Sequence, residues 1–427
     1  MGLRSNTSEQ LGLFRYAGVR RLFWATLISS AGTWLAFVAL ALDIYARTHS
    51  SVWVGALLVT ETLPVALLGF FCGPMLDRLP RRSLMIGADL FRTVVFIALV
   101  FAPGPWSIVA LATLAGVAAG LFTPTVYAGL PNLVDERDLA GVNGLFQTAN
   151  SATMIVGPLC GGAIVTAVGP HPAYLFNAVS FVCSAFLVGG IRASGLQSVT
   201  AASRGYLRDL LDGASTVFRS RPLLTVFVAW NVAMVGVAAM NTAEVALVQG
   251  DYGAGGFGYG VFMAATGLGV FIGAFSARAV LAKISFATAY ALGFALLALG
   301  IGLVALLPPF VLAVAILLIS GTGNGLLLTA NATLVQQGAS DDLRGRSFAL
   351  IMSANALVLT FASLGAGVLT DRRGAQLVWA LAAAATALAG LIGVLLARSL
   401  APFGKVATAD LALEPLSELS TESPLNL

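Results

Sequence analysis

Three acidic residues lie inside long apolar stretches of this sequence, where a carboxyl group could bind and release a proton. Glu61 sits near the middle of one stretch, while Asp43 and Glu244 sit toward the ends of two others. A charge at the centre of a membrane helix costs about 2.5–3.5 kcal/mol, so it normally faces a watery cavity or a partner. We predict Glu61 as the first candidate for proton coupling. Asp43 and Glu244 are further candidates for binding protons or a cationic substrate, unless they simply mark the ends of their helices.

Other polar and aromatic residues in the apolar stretches point to helix contacts or to the lining of a cavity. Asp89 and Arg92 are three residues apart, the spacing of a local ion pair on one face of a helix. The asparagines could line a cavity or form hydrogen bonds between helices, and the aromatic residues could form an apolar wall or face lipid. The cavity candidates are Asn150, Asn231, Asn355 and Trp34, followed by Asn241, Asn324, Asn331, Phe37, Phe146 and Trp230.

The cysteines and histidines do not form a pattern typical of metal binding or catalysis. Cys72, Cys160 and Cys183 lie in apolar stretches without Cys-x-x-Cys or Cys/His spacing, which indicates packing residues. His49 and His171 fall in short connections. The sequence has no Walker A loop and no nucleophile–base cluster. We therefore expect no enzyme activity, no cofactor and no metal, and the absence of a basic run gives no reason to expect nucleic acid.

The composition determines which elements can hold these residues. Of 427 residues, 58% are hydrophobic and 10% are charged, against about 25% charged in a soluble domain. Lipid must therefore cover the surface, and apolar runs of roughly 20 residues in a bilayer must be helices. The predicted helices are Leu22–Leu42, Val52–Leu76, Leu84–Ala102, Trp106–Ala128, Val142–Val168, Pro172–Gly190, Leu223–Val248, Phe257–Ala277, Ser285–Leu307, Phe310–Ala332, Phe348–Thr370 and Leu377–Ala397.

The basic residues predict the orientation of these helices. With a cytoplasmic N-terminus, nineteen of the 23 basic residues fall on the inner side and only Arg47, Arg372 and Arg373 on the outer side, with Arg92 inside a helix. Cytoplasmic loops carry an excess of basic residues. We therefore expect a multi-pass protein of the bacterial inner (plasma) membrane with both termini in the cytoplasm.

The chain divides into two similar halves. With an offset of about 205 residues, helices one to six overlie helices seven to twelve, which predicts two parallel six-helix bundles. The matched positions include Ala149-Asn150-Ser151 with Ala354-Asn355-Ala356, Gly162 with Gly367, Gly55 with Gly260, and Arg78 with Lys283. The predicted segments are an N-terminal cytoplasmic segment 1–21, bundles 22–191 and 223–398, a linker 192–222 and a tail 399–427. The linker predicts an amphipathic surface helix, and the acidic, proline-containing tail predicts disorder.

The loop between predicted helices two and three carries the strongest motif. Residues 73–82 read G-P-M-L-D-R-L-P-R-R, which resembles the G-x-x-x-D-R-x-G-R-R/K loop of the major facilitator superfamily, with Pro80 at the usual glycine. The resemblance implies an all-α membrane protein with twelve transmembrane helices in two pseudo-symmetric six-helix bundles. It also implies a cytoplasmic gate that latches the halves together when the protein faces outward, although the arginines could instead only set topology. The implied gate residues are Gly73, Asp77, Arg78, Arg81 and Arg82.

A second motif lies in predicted helix five. Residues 157–162, G-P-L-C-G-G, resemble the G-P-x-x-G-G core of a motif found in antiporters of this superfamily. Proline bends a helix and glycine permits close packing, which suits a gate, although ordinary small-residue packing is the alternative. The implied residues are Gly157, Pro158, Gly161 and Gly162.

Two loops resemble the drug and macrolide efflux branch, which includes enterobactin exporters. One is the stretch 130–145, and the other holds Gln336, Gln337, Asp342, Arg344 and Arg346, with Arg346 expected at the start of helix eleven. The run 371–374, D-R-R-G, looks like a second copy of the first motif. It falls on the outer side, however, and is not counted as a gate.

These resemblances imply a secondary active transporter that exports small hydrophobic drugs or metabolites by alternating access, driven by proton entry. One alternative is an exporter of a specific siderophore or lysophospholipid, since relatives with those roles share the loop motifs. A solute uptake symporter fits less well. Sugar porters typically repeat the Arg-rich loop after helix eight and have a long central loop, whereas here residues 278–283 match that loop poorly and the linker is 192–222. A non-transporting receptor or scaffold is the alternative from another class. The expected partners are a small-molecule substrate, protons and the lipid bilayer, with the protein as a monomer.

Overall fold

A computed structural model describes residues 12–76, 79–193, 196, 214–338, 341–398 and 400. The described chain is built from twelve long α-helices of 19 to 33 residues. They are α1 Ala17–Thr48, α2 Ser51–Leu76, α3 Arg81–Val100, α4 Pro105–Gly129, α5 Glu136–Val168, α6 His171–Gly189, α7 Arg221–Ala246, α8 Gly255–Leu281, α9 Phe286–Ala305, α10 Phe310–Gly338, α11 Asp341–Arg373 and α12 Ala375–Ala397. Eleven meet the length and hydropathy of a membrane span, and α2 has 26 residues. The predicted all-α membrane fold is confirmed.

Several short helical elements lie directly before or after the long helices. A turn of 3-10 helix, Leu13–Arg15, precedes α1, another, Leu130–Asn132, follows α4, and residues 214–219 are helical before α7. The end of α7 continues as a π-helical turn, Leu247–Asp251. Most of the predicted linker helix, the tail 401–427 and residues 1–11 lie outside the described residues.

The internal repeat is visible in the helix ends. Gly169 ends α5 with φ of +83°, and Gly374 ends α11 with φ of +90°. These positions are 205 residues apart, and glycine adopts positive φ without steric cost. Each turn lets the chain reverse at once into the following helix, so the two halves have equivalent geometry here.

The two halves, α1–α6 and α7–α12, face each other. The contacts between them run mainly along α2 with α11 and along α5 with α8, with smaller sets of contacts from α7 to α1 and α2 and from α1 to α8. Because α2 corresponds to α8 and α5 to α11 in the repeat, these two interfaces are equivalent. We call the face that carries the starts of α1 and α7 the terminal face. The face where α1 and α5 end and α2 and α8 begin is the opposite face.

Apolar side chains both fill the bundle and cover its outside. Large aromatic residues such as Tyr174, Phe294 and Trp379 are fully buried between helices. Others point away from the bundle: Phe186 is 82% exposed and Phe101 is 78% exposed. A water-soluble protein rarely shows so many exposed large apolar groups, so the outer surface suits lipid.

Candidate functional site

Three adjoining cavities lie inside the bundle, and Glu61 and Phe37 line all three. Two of them, of about 220 Å³ and about 340 Å³, lie within the first half. The third, of about 230 Å³, lies between the halves. The third cavity is lined by Trp34, Phe37, Leu58, Glu61, Thr62, Met154, Asn241, Glu244, Tyr259, Met263, Thr266 and Leu359.

Glu61 occupies the centre of this system. It lies ten residues after the start of α2 at Ser51, about 15 Å along the axis at 1.5 Å per residue. Its side chain has accessible surface inside the cavities. The ion pairs of the described residues do not include it. Within the described part of the chain, Glu61 is therefore a carboxyl group without an ion-pair partner, near the middle of α2 and facing cavity space large enough for water or a substrate.

Glu244 reaches the same inter-half cavity from the second half. It lies seven residues before the end of the π-helical turn at Asp251. Its side chain is buried, and its Oε1 atom has no hydrogen-bond partner among the described residues. A buried polar atom without a partner is costly, so this oxygen suits a transient proton or ligand. Tyr259, buried on α8, lines the cavity with Glu61 and Glu244.

Three of the four aromatic candidates, Trp34, Phe37 and Phe146, line the cavities. Trp34 and Phe37 meet edge to face with ring centroids 6.2 Å apart, and both line the inter-half cavity. Phe146 and Asn150 line the cavity that extends toward the terminal face. The structure thus brings one carboxyl group from each half together with aromatic rings and an amide.

Some candidate residues lie elsewhere. Asn231 and Asn355 do not line these three cavities, and Trp230 does not either. The Asn231 Nδ2 atom donates to the Phe227 carbonyl at 2.7 Å, and its buried Oδ1 atom has no hydrogen-bond partner in the described part of the chain. Asn355 is buried, and the residues that the structure describes offer its Oδ1 atom no partner either.

Asp43 is already fully engaged. Its Oδ1 atom pairs with the Arg47 Nε atom at 2.7 Å, and its Oδ2 atom accepts a hydrogen bond from the Tyr174 hydroxyl at 2.9 Å. Arg47 also donates from Nη1 to the Ala102 carbonyl at 3.0 Å. This network ties α1 to α6 and to the connection that follows α3, near the opposite face. Among the described residues, Asp43 therefore has an ion-pair partner, whereas Glu61 and Glu244 have none.

The predicted ion pair on α3 is present. The Arg92 guanidinium contacts the Asp89 carboxylate, and Asp89 is fully buried. Two rings enclose the same guanidinium: its Cζ atom lies 4.7 Å from the Phe122 centroid and 4.1 Å from the Phe181 centroid. Pairing and cation–π contacts both offset the cost of burying the charge. Arg92 also lines two of the cavities, so a fixed cation lies near Glu61.

Glycines let the halves approach closely near the opposite face. On one interface, a Cβ atom at Gly55 would lie 2.6 Å from the Ser363 carbonyl oxygen. On the equivalent interface, a Cβ atom at Gly260 would meet the Pro158 carbonyl oxygen. A second equivalent pair lies further out: Gly367 contacts the start of α2, and Gly162 contacts the start of α8. The four contacts follow the repeat, and they close the bundle at the opposite face.

The helix-five motif therefore serves two interfaces. Gly162 packs across the halves, where its Cβ atom would lie 2.5 Å from the Gly256 carbonyl oxygen. Gly157 and Gly161 instead pack on α1, against Trp34 and Leu35, with corresponding distances of 2.5 Å. Within one helix, the motif therefore packs both against α1, which lines the cavity, and against α8 at the closed opposite face.

The terminal-face motif is only partly described. Arg81 Nη1 donates to the Ala128 and Leu196 carbonyls at 2.8 and 3.0 Å, and Arg82 Nη2 donates to the Gly189 carbonyl. These arginines satisfy backbone acceptors at or beyond the ends of α4 and α6, where cations are favourable. Asp77 and Arg78 lie outside the described residues, and Gly73 lies in the last turn of α2. The predicted Asp342, Arg344 and Arg346 fall in the first turns of α11, which begins at Asp341.

Sequence reasoning missed Tyr259 and Thr166. Tyr259 lies in an apolar stretch without a recognisable motif, and only the packing of α8 shows that it faces two carboxyl groups. Thr166 bonds across the halves to the backbone N–H of Phe257. A signal for Thr166 did exist, since it is the repeat equivalent of Asp371.

Comparison with known proteins decides the family. The family model described as Major Facilitator Superfamily matches residues 22–362. This chain belongs to the major facilitator superfamily. Like its relatives it is a multi-pass membrane transporter and not an enzyme, as the sequence predicts.

The relatives cover most of the chain at low identity. The chain is 26% identical over 398 residues to the uncharacterized MFS-type transporter YfiS of Bacillus subtilis, covering 89% of this chain and 93% of that protein. It is 25% identical over 348 residues to the putative bacilysin exporter BacE of B. subtilis, covering 77% and 83%. A solved bacterial homologue of the iron transporter ferroportin, in its inward-facing state, matches with a TM-score of 0.69 and 17% identity, covering 90% of this chain and 99% of that one. That structural likeness shows the fold.

Proposed function

We propose that this transporter exports small, largely hydrophobic molecules by alternating access, in exchange for protons. One observation carries the proposal: Glu61 and Glu244 bring one carboxyl group from each half into a single aromatic-walled cavity, and the described residues form no ion pair with either. A carboxyl group inside a membrane protein is costly unless it has a function or a partner. Protonation removes the charge, so a cavity of this kind can exchange a proton for a substrate.

The wall of the cavity supports the substrate class. Trp34, Phe37 and Met263 provide apolar and aromatic surface, while Asn241 and Tyr259 add a few polar groups. A largely apolar cavity with few polar groups suits a small ligand that is itself mostly apolar. Similarity to a protein named as a putative exporter supports the outward direction.

The conformation described is consistent with one half of the transport cycle. Close packing joins the halves at the opposite face, and the cavity lined by Tyr127 and Phe146 extends toward the terminal face. We place the terminal face and both termini in the cytoplasm, because basic residues concentrate there. In this orientation the structure faces inward, ready to take up substrate from the cytoplasm or the inner leaflet of a bacterial plasma membrane.

Two steps test the proposal. The first is a resistance and export screen in a bacterial host that lacks its own drug pumps, comparing wild type with Glu61→Gln. Compounds found this way are then followed in proteoliposomes under an imposed pH gradient. We expect gradient-driven export by the wild type and its loss in Glu61→Gln, whereas Asp135→Asn, a change at an exposed carboxylate, retains it. Uptake in place of export would refute the proposed direction. Gradient-driven export by Glu61→Gln equal to that of the wild type would refute the proposed coupling site.

A further inference from the structure

The far end of α11 caps the start of α2 across the boundary between the halves. The Ser51 backbone N–H donates to the Asp371 Oδ1 atom at 2.6 Å. The Ser50 hydroxyl donates to the other carboxylate oxygen of Asp371. Ser51 is the first residue of α2, so a negative charge from the second half lies at the positive end of a helix in the first half.

The equivalent position in the first half makes a similar contact, one residue further along the partner helix. Thr166, 205 residues before Asp371, accepts a hydrogen bond on its Oγ1 atom from the Phe257 backbone N–H at 2.8 Å. Phe257 lies in the first turn of α8, which begins at Gly255. The repeat therefore places one capping side chain at the end of α5 and one at the end of α11, each bonded to the first turn of a helix in the other half.

The glycine contacts restrict where these bonds can form. Gly367 lies one turn before Asp371, and a Cβ atom there would lie 2.8 Å from the Ser51 carbonyl oxygen. Gly162 holds the same place before Thr166, and its Cβ atom would lie 2.5 Å from the Gly256 carbonyl oxygen. Opening the bundle at the opposite face requires α2 to leave α11 and α5 to leave α8. Both capping bonds would then break.

We propose that Asp371 and Thr166 form a two-armed latch that holds the opposite face closed and so positions the halves for transport. The arms differ in strength. The Asp371 arm joins a carboxylate to an N–H and a hydroxyl, and the Thr166 arm is one bond to a neutral hydroxyl. Hydrogen bonds to charged groups are the stronger kind, so Asp371 is the dominant arm. This proposal does not depend on which substrate is carried or on the site of proton coupling.

The test measures the opening of the opposite face in the full chain. Spin labels are attached to cysteines replacing His171, the first residue of α6, and Leu306, which directly follows α9. Both positions lie at the opposite face, one in each half, and the background lacks Cys72, Cys160 and Cys183. Pulsed electron spin resonance then gives the ratio of long to short label distances. We expect Asp371→Ala to raise this ratio roughly tenfold and Thr166→Val roughly threefold, in line with charged and neutral hydrogen bonds.

A matched control isolates the latch from general effects of mutation. Arg372→Gln alters an exposed charge next to Asp371, and we expect it to leave the distance ratio unchanged. If Asp371→Ala does not yield folded protein, Asp371→Asn replaces it, with an expected increase between those of the other two variants. An unchanged ratio in both the Asp371 and the Thr166 variants would overturn the proposal. So would an increase in Arg372→Gln equal to that in the Asp371 variant.

Discussion

A methyl group added at Gly367 tests whether the close approach of α11 to α2 determines the conformation. In the structure, a Cβ atom at this position would lie 2.6 Å from the Val52 Cα atom and 2.8 Å from the Ser51 carbonyl oxygen. Ordinary contacts between carbon atoms are about 3.5–4.0 Å. Both opposing atoms belong to backbone, so a side-chain rotation cannot relieve the clash.

The expected size follows from the cost of overpacking. Inserting one carbon into a packed interface typically costs about 1–3 kcal/mol, and here the cost applies only while the opposite face is closed. The alanine also raises helix propensity by about 1 kcal/mol relative to glycine, but this gain is the same in both conformations and cancels. Gly367→Ala should therefore shift the population toward the open form by roughly 5- to 150-fold.

Cysteine labelling can measure this shift. Thr62 lines the inter-half cavity, so a cysteine at that position reports which side has access to the cavity. An impermeant thiol reagent is applied to sealed vesicles from each side in turn. For Gly367→Ala, we expect faster labelling from the opposite face and slower labelling from the terminal face.

Gly365 provides a matched control on the same helix. A Cβ atom at Gly365 meets no atom within 4 Å, so Gly365→Ala should gain helix propensity and leave the labelling pattern unchanged. Equal labelling rates in the two alanine variants would refute the argument that backbone contact at Gly367 holds the closed form.

Three further predictions concern stability and recognition. Asp43→Asn should lower the free energy of unfolding by about 1–3 kcal/mol, because it weakens the hydrogen bonds to Arg47 and Tyr174. A thermal-shift assay should show a lower midpoint for this variant and an unchanged midpoint for Asp251→Asn, at an exposed carboxylate. Phe181→Leu should lower the free energy of unfolding by about 0.5–2 kcal/mol more than the loss of packing alone, because it removes one ring from the buried Arg92 guanidinium. Chemical unfolding measures the difference, with Phe186→Leu on the lipid side as the control. Trp34→Ala should change the ranking of exported compounds more than the amount of folded protein, and equal losses for all compounds in the export screen would contradict a role in recognition.

The helices could be predicted from the sequence because the bilayer imposes a simple rule. An apolar run long enough to cross it must be helical, and most predicted boundaries agree with the structure within a few residues. Some helices continue beyond the predicted apolar run into polar residues. For example, α11 begins at Asp341, seven residues before the predicted start at Phe348. Hydropathy cannot locate such an end, because a helix can continue into the water layer with polar residues.

The candidate site was predictable in part. Glu61 stands out in the sequence because a charge in the membrane is costly unless it has a function or a partner. Trp34 does not stand out in the same way, because an aromatic residue in an apolar helix can face either a cavity or lipid. Asn231 could not be judged, because the sequence does not give the rotation of α7 about its axis. The network around Asp43 was equally hidden, since Tyr174 is 131 residues away. The repeat offset of 205 residues relates Thr166 to Asp371, so the position of this pair is encoded in the sequence.

We propose that Glu61, the carboxyl group near the middle of α2, links protonation to the conformational change. The most direct test records the label-distance distribution of the purified chain across a range of pH without any substrate. We predict that the ratio of open to closed forms depends on pH in the wild type and in Asp135→Asn, and that Glu61→Gln loses much of this dependence. A full pH response in Glu61→Gln would contradict the account.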